Sequence, residues 1–469
     1  MWTKLIVGFV GISLTWLLAW RLRSAKARQV LFLIVSYVFY ASIGGRLLAV
    51  LMGSSLLNYA WGRYLRRRPS AGRLWGGIAA NLVLLATFKY LPALAASLQQ
   101  PSGWMEELAQ VALPIGMSFW TFQALSYLFD LYREEELDPS LLEFCLYMAF
   151  GPTVLSGPIC RLPEMLPQFR ERFSPTASDL HRGLQRMWLG VFMMSLAQML
   201  GAGIMPGEGI DAGFQAVARL RAADVWLLAI GYGFQLFFDF AGYSHIVIGL
   251  AQTFGFRLAE NFNSPYLSTT PSVFWTRWHM SLSFWIRDNV FLPLAVMRRE
   301  VWWRNLCLVI AMVTFGLWHK AKLMFVVWGA YHGLLLVLHR LWQGLQRRIG
   351  FNWPRFLGAV LPWAVTFFAV CLGWILFRAD TLEHALTMLG RAFSPAGPGF
   401  GLPSHFYLLV CVVVAGYFTV AGLRALVKRD DGLVFSWIPL ELRFACYAVM
   451  LYLVVFRGAQ PQGFIYFQF

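Results

Sequence analysis

The chain has 469 residues, of which 58% are hydrophobic and 13% charged, and its formal net charge is +16. Soluble domains carry about 45–50% apolar and about 25% charged residues, so a soluble globular fold is excluded. The apolar residues lie in long blocks without two-residue alternation, which excludes a strand barrel and predicts an all-α, polytopic integral membrane protein. The positive charge falls between the blocks, at Arg63, Arg66, Arg67, Arg68 and Arg73, at Arg298, Arg299 and Arg304, and at Arg347 and Arg348. Positive-inside topology produces that pattern, and no nucleic-acid partner is expected.

About eleven to thirteen segments approach the ~20 residues that a span needs. The first, Leu5 to Trp20, is long for a signal sequence and has no small-residue cleavage site after it. Arg21, Arg23, Lys26 and Arg28 follow, which predicts a retained span with its basic end in the cytoplasm and the N-terminus outside. A second block runs from Leu74 to Leu94, and Pro101 to Ala112 reads as a short, partly acidic connection. Gln168 to Met187 mixes Arg170, Arg172, Arg182 and Arg186 with Phe169, Phe173, Leu180 and Leu184, and is predicted to be one helix lying in the interface. Ala379 to Phe393 has the same character. The remaining long blocks are Val225 to Phe240, Leu306 to Trp318, Phe356 to Phe377 and Tyr407 to Ala425. The six cysteines include no C-x-x-C pair and read as small buried hydrophobes, with neither a disulfide frame nor a zinc site.

Phe234 to Gly333 is different, because ionisable residues are packed among aromatics there. Gln235, Asp239 and Tyr243 recur every four residues and share one helix face. A carboxylate at membrane depth costs at least ~2.5 kcal/mol without a partner. Asp239 therefore either pairs with an arginine, Arg277 or Arg287, or takes part in chemistry. Glu260 to Tyr266 is a polar loop containing Asn261 and Asn263. After it, Trp275, Trp278, Leu282 and Trp285 form an apolar stripe, and Thr276, His279, Ser283 and Arg287 a polar one. That pattern fits an interfacial helix with an aromatic belt as well as it fits a reaction site. Trp318-His319 closes the next apolar block, before Lys320 and Lys322. His332 and His339, seven apart, read as packing and surface residues, and no metal-ligand spacing appears. Buried imidazoles near tryptophan suit general-base work away from water. No G-x-S-x-G elbow supports a serine hydrolase.

The motifs Asp239-Phe240-Ala241-Gly242-Tyr243-Ser244, Glu260-Asn261-Phe262-Asn263, Phe274 to Ser283, Trp285-Ile286-Arg287-Asp288 and Gly316-Leu317-Trp318-His319 together resemble the membrane-bound O-acyltransferase family. Within that family they are similar to the bacterial branch that modifies cell-surface polymers, including alginate, cellulose and peptidoglycan O-acetylation and teichoic-acid D-alanylation. Pro114 to Phe119, Tyr127 to Asp130 and Ser156 to Ile159 fit as well. The resemblance covers most of the chain, which is expected to form a single domain with its core motifs in 234–333.

The resemblance implies a ring of helices around a funnel or tunnel, with re-entrant and interfacial pieces, in the bacterial inner membrane. It places the family's invariant histidine on His319 and the branch's second histidine on His279. Asp239, Tyr243, Asn261, Asn263, Arg277, Trp278, Ser283, Arg287 and Trp318 would support them. It also implies a cytoplasmic thioester donor such as acetyl-CoA, no bound cofactor, and a hydroxyl acceptor outside. A periplasmic acetyltransferase partner and membrane lipid complete the expected contacts. Relatives often carry an acidic residue at His245, a glycine at Lys320 and a longer segment between Pro293 and Trp302. Arg298, Arg299 and Arg304 either fix topology or draw in an anionic donor. Two other functions stay open: a lipid-linked sugar transporter, which would predict repeats in both halves, and a catalytically silent scaffold.

Overall fold

A computed structural model of the chain describes residues 2–91, 103, 114–133, 136–171, 174–205, 207–320, 322–350, 354, 357–394, 401–427 and 440–457. All regular structure among the described residues is helical. The connection read at Pro101 to Ala112 lies outside them, apart from residue 103. The chain divides into two compact units, one of residues 1–184 with 247–259, the other of 185–246 with 260–469.

The first unit begins with α1 (Trp2–Arg21), α2 (Ala25–Ile43), α3 (Gly45–Arg67) and α4 (Ala71–Lys89). It continues with α5 (Met117–Tyr132), α6 (Leu141–Ala149) and α7 (Leu162–Arg170). Serines start three of these helices by accepting orphan amides: Ser24 from Ala27, Ser70 from Arg73 and Ser140 from Glu143. Polar groups buried between the helices are paired. Asn58 on α3 and Asn81 on α4 exchange side-chain hydrogen bonds of 3.0 and 2.7 Å. Glu143 on α6 accepts from Arg170 at the end of α7, at 2.7 and 2.9 Å.

The single interfacial helix expected over Gln168 to Met187 does not form. α7 stops at Arg170, and a new helix, α8 (Ala177–Ala202), starts after Pro175. Thr176 enforces the restart: its backbone amide donates to Asp179 at 2.9 Å, and its hydroxyl accepts the Asp179 amide at 3.1 Å.

The second unit holds the rest of α8 and α9 (Ile210–Gln215), then most of α10 (Ala222–Thr253). Three short helices follow, α11 (Pro271–Trp275), α12 (Met280–Ile286) and α13 (Leu292–Ala295). Next come α14 (Val301–His319), α15 (Leu323–Ile349), α16 (Leu357–Arg378), α17 (Leu382–Ala392), α18 (Ser404–Val427) and α19 (Leu440–Arg457). α17 is the amphipathic helix read at Ala379 to Phe393, burying Ala385, Met388 and Ala392. Buried Asp224 at the start of α10 accepts from the amides of Gly401 and Leu402 and from the Tyr407 hydroxyl, which ties α10 to the entry of α18.

Seven helices among the described residues are long and apolar enough to cross a membrane: α2, α4, α10, α14, α15, α16 and α18. α3 is not among them because it is too polar by average, with four arginines in its 23 residues. Four cysteines are buried as expected, whereas Cys411 is exposed and Cys446 half-buried.

The Glu143–Arg170 pair yields a test. Hydrogen bonds from Arg170 hold the Glu143 carboxyl below its ordinary value near 4.5. A lowered carboxyl stabilises the fold above that value, and the contribution is lost as pH falls through the folded-state value. Arg170 is half exposed, so Arg170→Ala should cost only about 1 kcal/mol at pH 7. The gap to the parent protein should close in acid. Thermal unfolding followed at pH 7 and at about pH 3 checks this, and an equal gap at both would refute it.

Candidate acyl-transfer site

The site is built on the irregular stretch between α10 and α14 and on the ends of those helices. α10 buries Gln235 and Asp239 and leaves Tyr243 half-buried. Next to Tyr243, Ser244 accepts from the Asn261 side-chain amide at 3.1 Å. The Asn261 side-chain oxygen accepts from the Ser281 hydroxyl at 2.7 Å, and its backbone carbonyl from the Met280 amide at 2.9 Å. Asn263 donates its backbone amide to the Arg277 carbonyl at 3.0 Å. Ser283 closes the other side, donating its hydroxyl to the Trp278 carbonyl at 2.8 Å and its amide to the His279 carbonyl at 2.9 Å.

These bonds bracket His279, which stands in the left-handed region at φ 42° and ψ 55°. A non-glycine residue there costs on the order of 1–3 kcal/mol and persists only where its surroundings over-determine it. The conformation breaks the helix and aims the imidazole inward. His279 is fully buried, edge-on to Phe240 at 4.7 Å, and burial disfavours its charged form. The polar stripe read from sequence is therefore not a stripe. Thr276 is exposed at the end of α11, and Arg287 is exposed where the backbone widens into a π-turn, paired with Asp288 at 2.7 Å and lying over Phe284. The apolar set survives the break, with Trp275, Trp278, Leu282 and Trp285 all buried. Trp278 packs on Phe262, Phe274 and Trp374.

His319 is the last residue of α14 and is 3% exposed. α14 and α15 run antiparallel around the break at Lys320 to Lys322 and touch through glycines. A Cβ at Gly316 would stand 2.0 Å from the Phe325 carbonyl oxygen, and one at Gly329 2.4 Å from that of Met312. Only glycine permits this approach, and small residues serve membrane helix contacts in the same way. Lys320 has φ −157°, extended backbone open to any residue, so the glycine of relatives is not needed.

The hairpin brings Trp318, Phe325, Trp328 and Phe315 around His319, with Phe377 from α16, at centroid distances of 4.7 to 6.1 Å. Phe315 and Trp318 also flank His279, at 6.1 and 5.7 Å. The two histidines thus converge on the same pair of rings, from separate elements.

The hairpin also gives His332 the packing role that its sequence leads one to expect. It is buried between Trp275, Trp328 and Trp374, and it shares Trp328 with His319. His339 remains half-buried. Thirteen residues separate His319 from His332, which on one continuous helix would set them nearly opposite. The fold-back reverses that, and its sequence signal is the glycine set at 316, 329 and 333 on either side of the two lysines. His245 accepts from Arg186 Nε at 3.1 Å, and the same guanidinium pairs with Glu260.

A desolvated case of this kind offers imidazole bases, aromatic walls and exclusion of water. Comparison with known proteins fits that chemistry. Residues 74–378 match the model of the MBOAT, membrane-bound O-acyltransferase family, and the chain belongs to that family. It is a multi-pass membrane protein and an acyltransferase. Over 385 residues it is 36% identical to the probable alginate O-acetylase AlgI of Pseudomonas aeruginosa, covering 80% of this chain and 71% of that protein. The protein of that name from Pseudomonas putida is 32% identical over 480 residues, 96% of each chain. The peptidoglycan O-acetyltransferase of Helicobacter pylori is 30% identical over 421 residues, 82% of this chain and 76% of that protein.

The Asn261 clamp can be tested without touching either histidine. Asn261→Ala removes its bonds to Ser244 and Ser281 while the backbone bonds remain. Turnover should fall by roughly tenfold to a hundredfold through misplacement of His279. Acyl transfer and thermal unfolding would be measured together, and unchanged turnover would dissociate the clamp from the site.

Proposed function

We propose that this chain passes an acetyl group from a cytoplasmic thioester, acetyl-CoA, toward hydroxyls of an extracytoplasmic polysaccharide in the bacterial inner membrane. The supporting observation is the convergence of His279 and His319, both buried, on Phe315 and Trp318. A neutral imidazole takes the proton of the acceptor hydroxyl as its oxygen attacks the thioester carbonyl. The tetrahedral intermediate then expels the thiolate, which takes up that proton, and the acyl group remains as an ester. A dry aromatic surround protects the thioester from hydrolysis. His319 is the base, His279 assists, and Asp239 is a positioning carboxylate. The similarity to alginate O-acetylases favours an exopolysaccharide acceptor such as alginate, with cellulose of the same class. Transfer is either direct or through a periplasmic acetyltransferase. Basic loops favour cytoplasmic entry of the donor and a periplasmic N-terminus.

His319→Ala should lower acetyl transfer by at least about a hundredfold while membrane insertion is kept. His279→Ala should lower it strongly and leave a residue of activity. Purified variants assayed with labelled acetyl-CoA decide the point, and parental turnover in His319→Ala would refute the assignment. A chain that only recruits another enzyme would show no thioester turnover by itself.

The cross-membrane route has a separate test. In sealed, oriented vesicles, acetyl transfer should require donor on the cytoplasmic side and acceptor opposite. Equal rates with both reagents on the periplasmic side would leave an ordinary one-sided transferase.

A further inference from the structure

The start of α14 and the end of α15 form a second feature, at the opposite end of α14 from His319. A cavity of about 570 Å³ opens there, lined by Arg304 from α14 and by Arg340, Arg347 and Arg348 from α15. Its lining contains no carboxylate. Glu300, the N-cap of α14, is outside it. Arg340 is anchored by donating to Asn305 at 3.1 Å, and Arg347 by donating to the Gln343 carbonyl at 3.2 Å. The first-turn amides of the nineteen-residue helix α14 begin at Val301, also in the lining, and add the positive end of a helix dipole. Four guanidiniums in one cavity repel one another unless an anion joins them.

The same helix says what kind of anion. Leu334, Leu338, Leu341 and Leu345 follow one another at spacings of four, three and four, so they share one face of α15. Each is about half exposed, and Leu341 and Leu345 reach the cavity lining. The stripe runs along the helix and ends at the arginines. We propose that this cavity binds the phosphate of an anionic phospholipid, whose acyl chains lie along the leucine stripe. Arginine forks match phosphate oxygens two at a time, and basic pockets between membrane helices select lipid headgroups. A soluble phosphate ester would use the arginines and leave the leucines uncovered. The site is independent of the acyl-transfer reading.

The test uses the full chain purified in detergent and stripped of lipid, titrated with phosphatidylglycerol or with phosphatidylcholine. Lipid retention is read by native mass spectrometry. Phosphatidylglycerol should be held in preference to phosphatidylcholine. Arg304→Gln with Arg340→Gln should weaken it by roughly fivefold per arginine. The corresponding lysine pair should hold it more tightly than the glutamine pair. Arg67→Gln with Arg68→Gln, which removes as much charge elsewhere, should change nothing. Should loss of the Asn305 contact unfold the first variant, Arg347→Gln with Arg348→Gln replaces it with the same expectation. Equal retention of the two lipids, or parental affinity in the glutamine variants, overturns the proposal. Displacement of phosphatidylglycerol by stoichiometric coenzyme A would also overturn it, and would make the cavity a site for a soluble phosphate ester.

Discussion

A backbone that leaves the helix among apolar side chains must find a partner for every amide and carbonyl it frees, because no solvent supplies one. Between residues 276 and 283 much of that bonding comes from the loop at 261–263 and from Ser283. Asn261 and Asn263 take up Met280 and Arg277 through the main chain, and Ser283 serves the carbonyls of Trp278 and His279. The side chain of Asn261 then locks the loop to Ser244 on α10 and to Ser281. The left-handed conformation of His279 follows from this bonding and could not survive without it. In this way the direction of one imidazole depends on an asparagine eighteen residues earlier in the chain.

His319 is fixed by different means. Its position comes from the depth to which α14 and α15 close, and glycines at the crossing set that depth. A larger residue at 316 or 329 would force the two backbones apart, and Phe325 and Trp328 would withdraw from the imidazole with them. The aromatic surround matters for chemistry as well as packing. It leaves little room for bulk water beside the imidazole, which suits chemistry that water would divert.

Much of this was legible in the sequence, in proportion to how local the signals are. The helical membrane class followed from block lengths and charge placement, and the family from motifs whose combination is specific. The motifs point to His279, His319, Asn261 and Asn263; the two asparagines hold the turn at His279, and both imidazoles lie beside Phe315 and Trp318. The reading failed where helical periodicity was carried through a break. Helical period sets Thr276 and Arg287 beside His279, yet both are exposed where a left-handed residue breaks the helix. The amphipathic period of Gln168 to Met187 continues as if in one helix, although Pro175 and the Thr176 cap divide it. His332 is the packing residue its sequence suggests, and the fold-back adds what periodicity omits, neighbours from α11 and α16. Periodicity reports which residues share a face of an unbroken helix, and it carries no information on where the chain folds back.

The unlike supports of the two histidines have a consequence for how the site can vary. One depends on side-chain hydrogen bonds around a strained turn, the other on close contact between two helices. Phe315 and Trp318 lie on α14 and stand beside both rings, so α14 is the reference against which each is placed. A change in the loop at 261–263 shifts His279 relative to α14 and leaves His319 where it was. A change at the glycine crossing acts first on the wall around His319, because Phe325 and Trp328 belong to α15. Separate supports allow the surroundings of the two imidazoles to be altered one at a time. The shared rings confine that freedom, since both imidazoles must still meet on the same face of one helix.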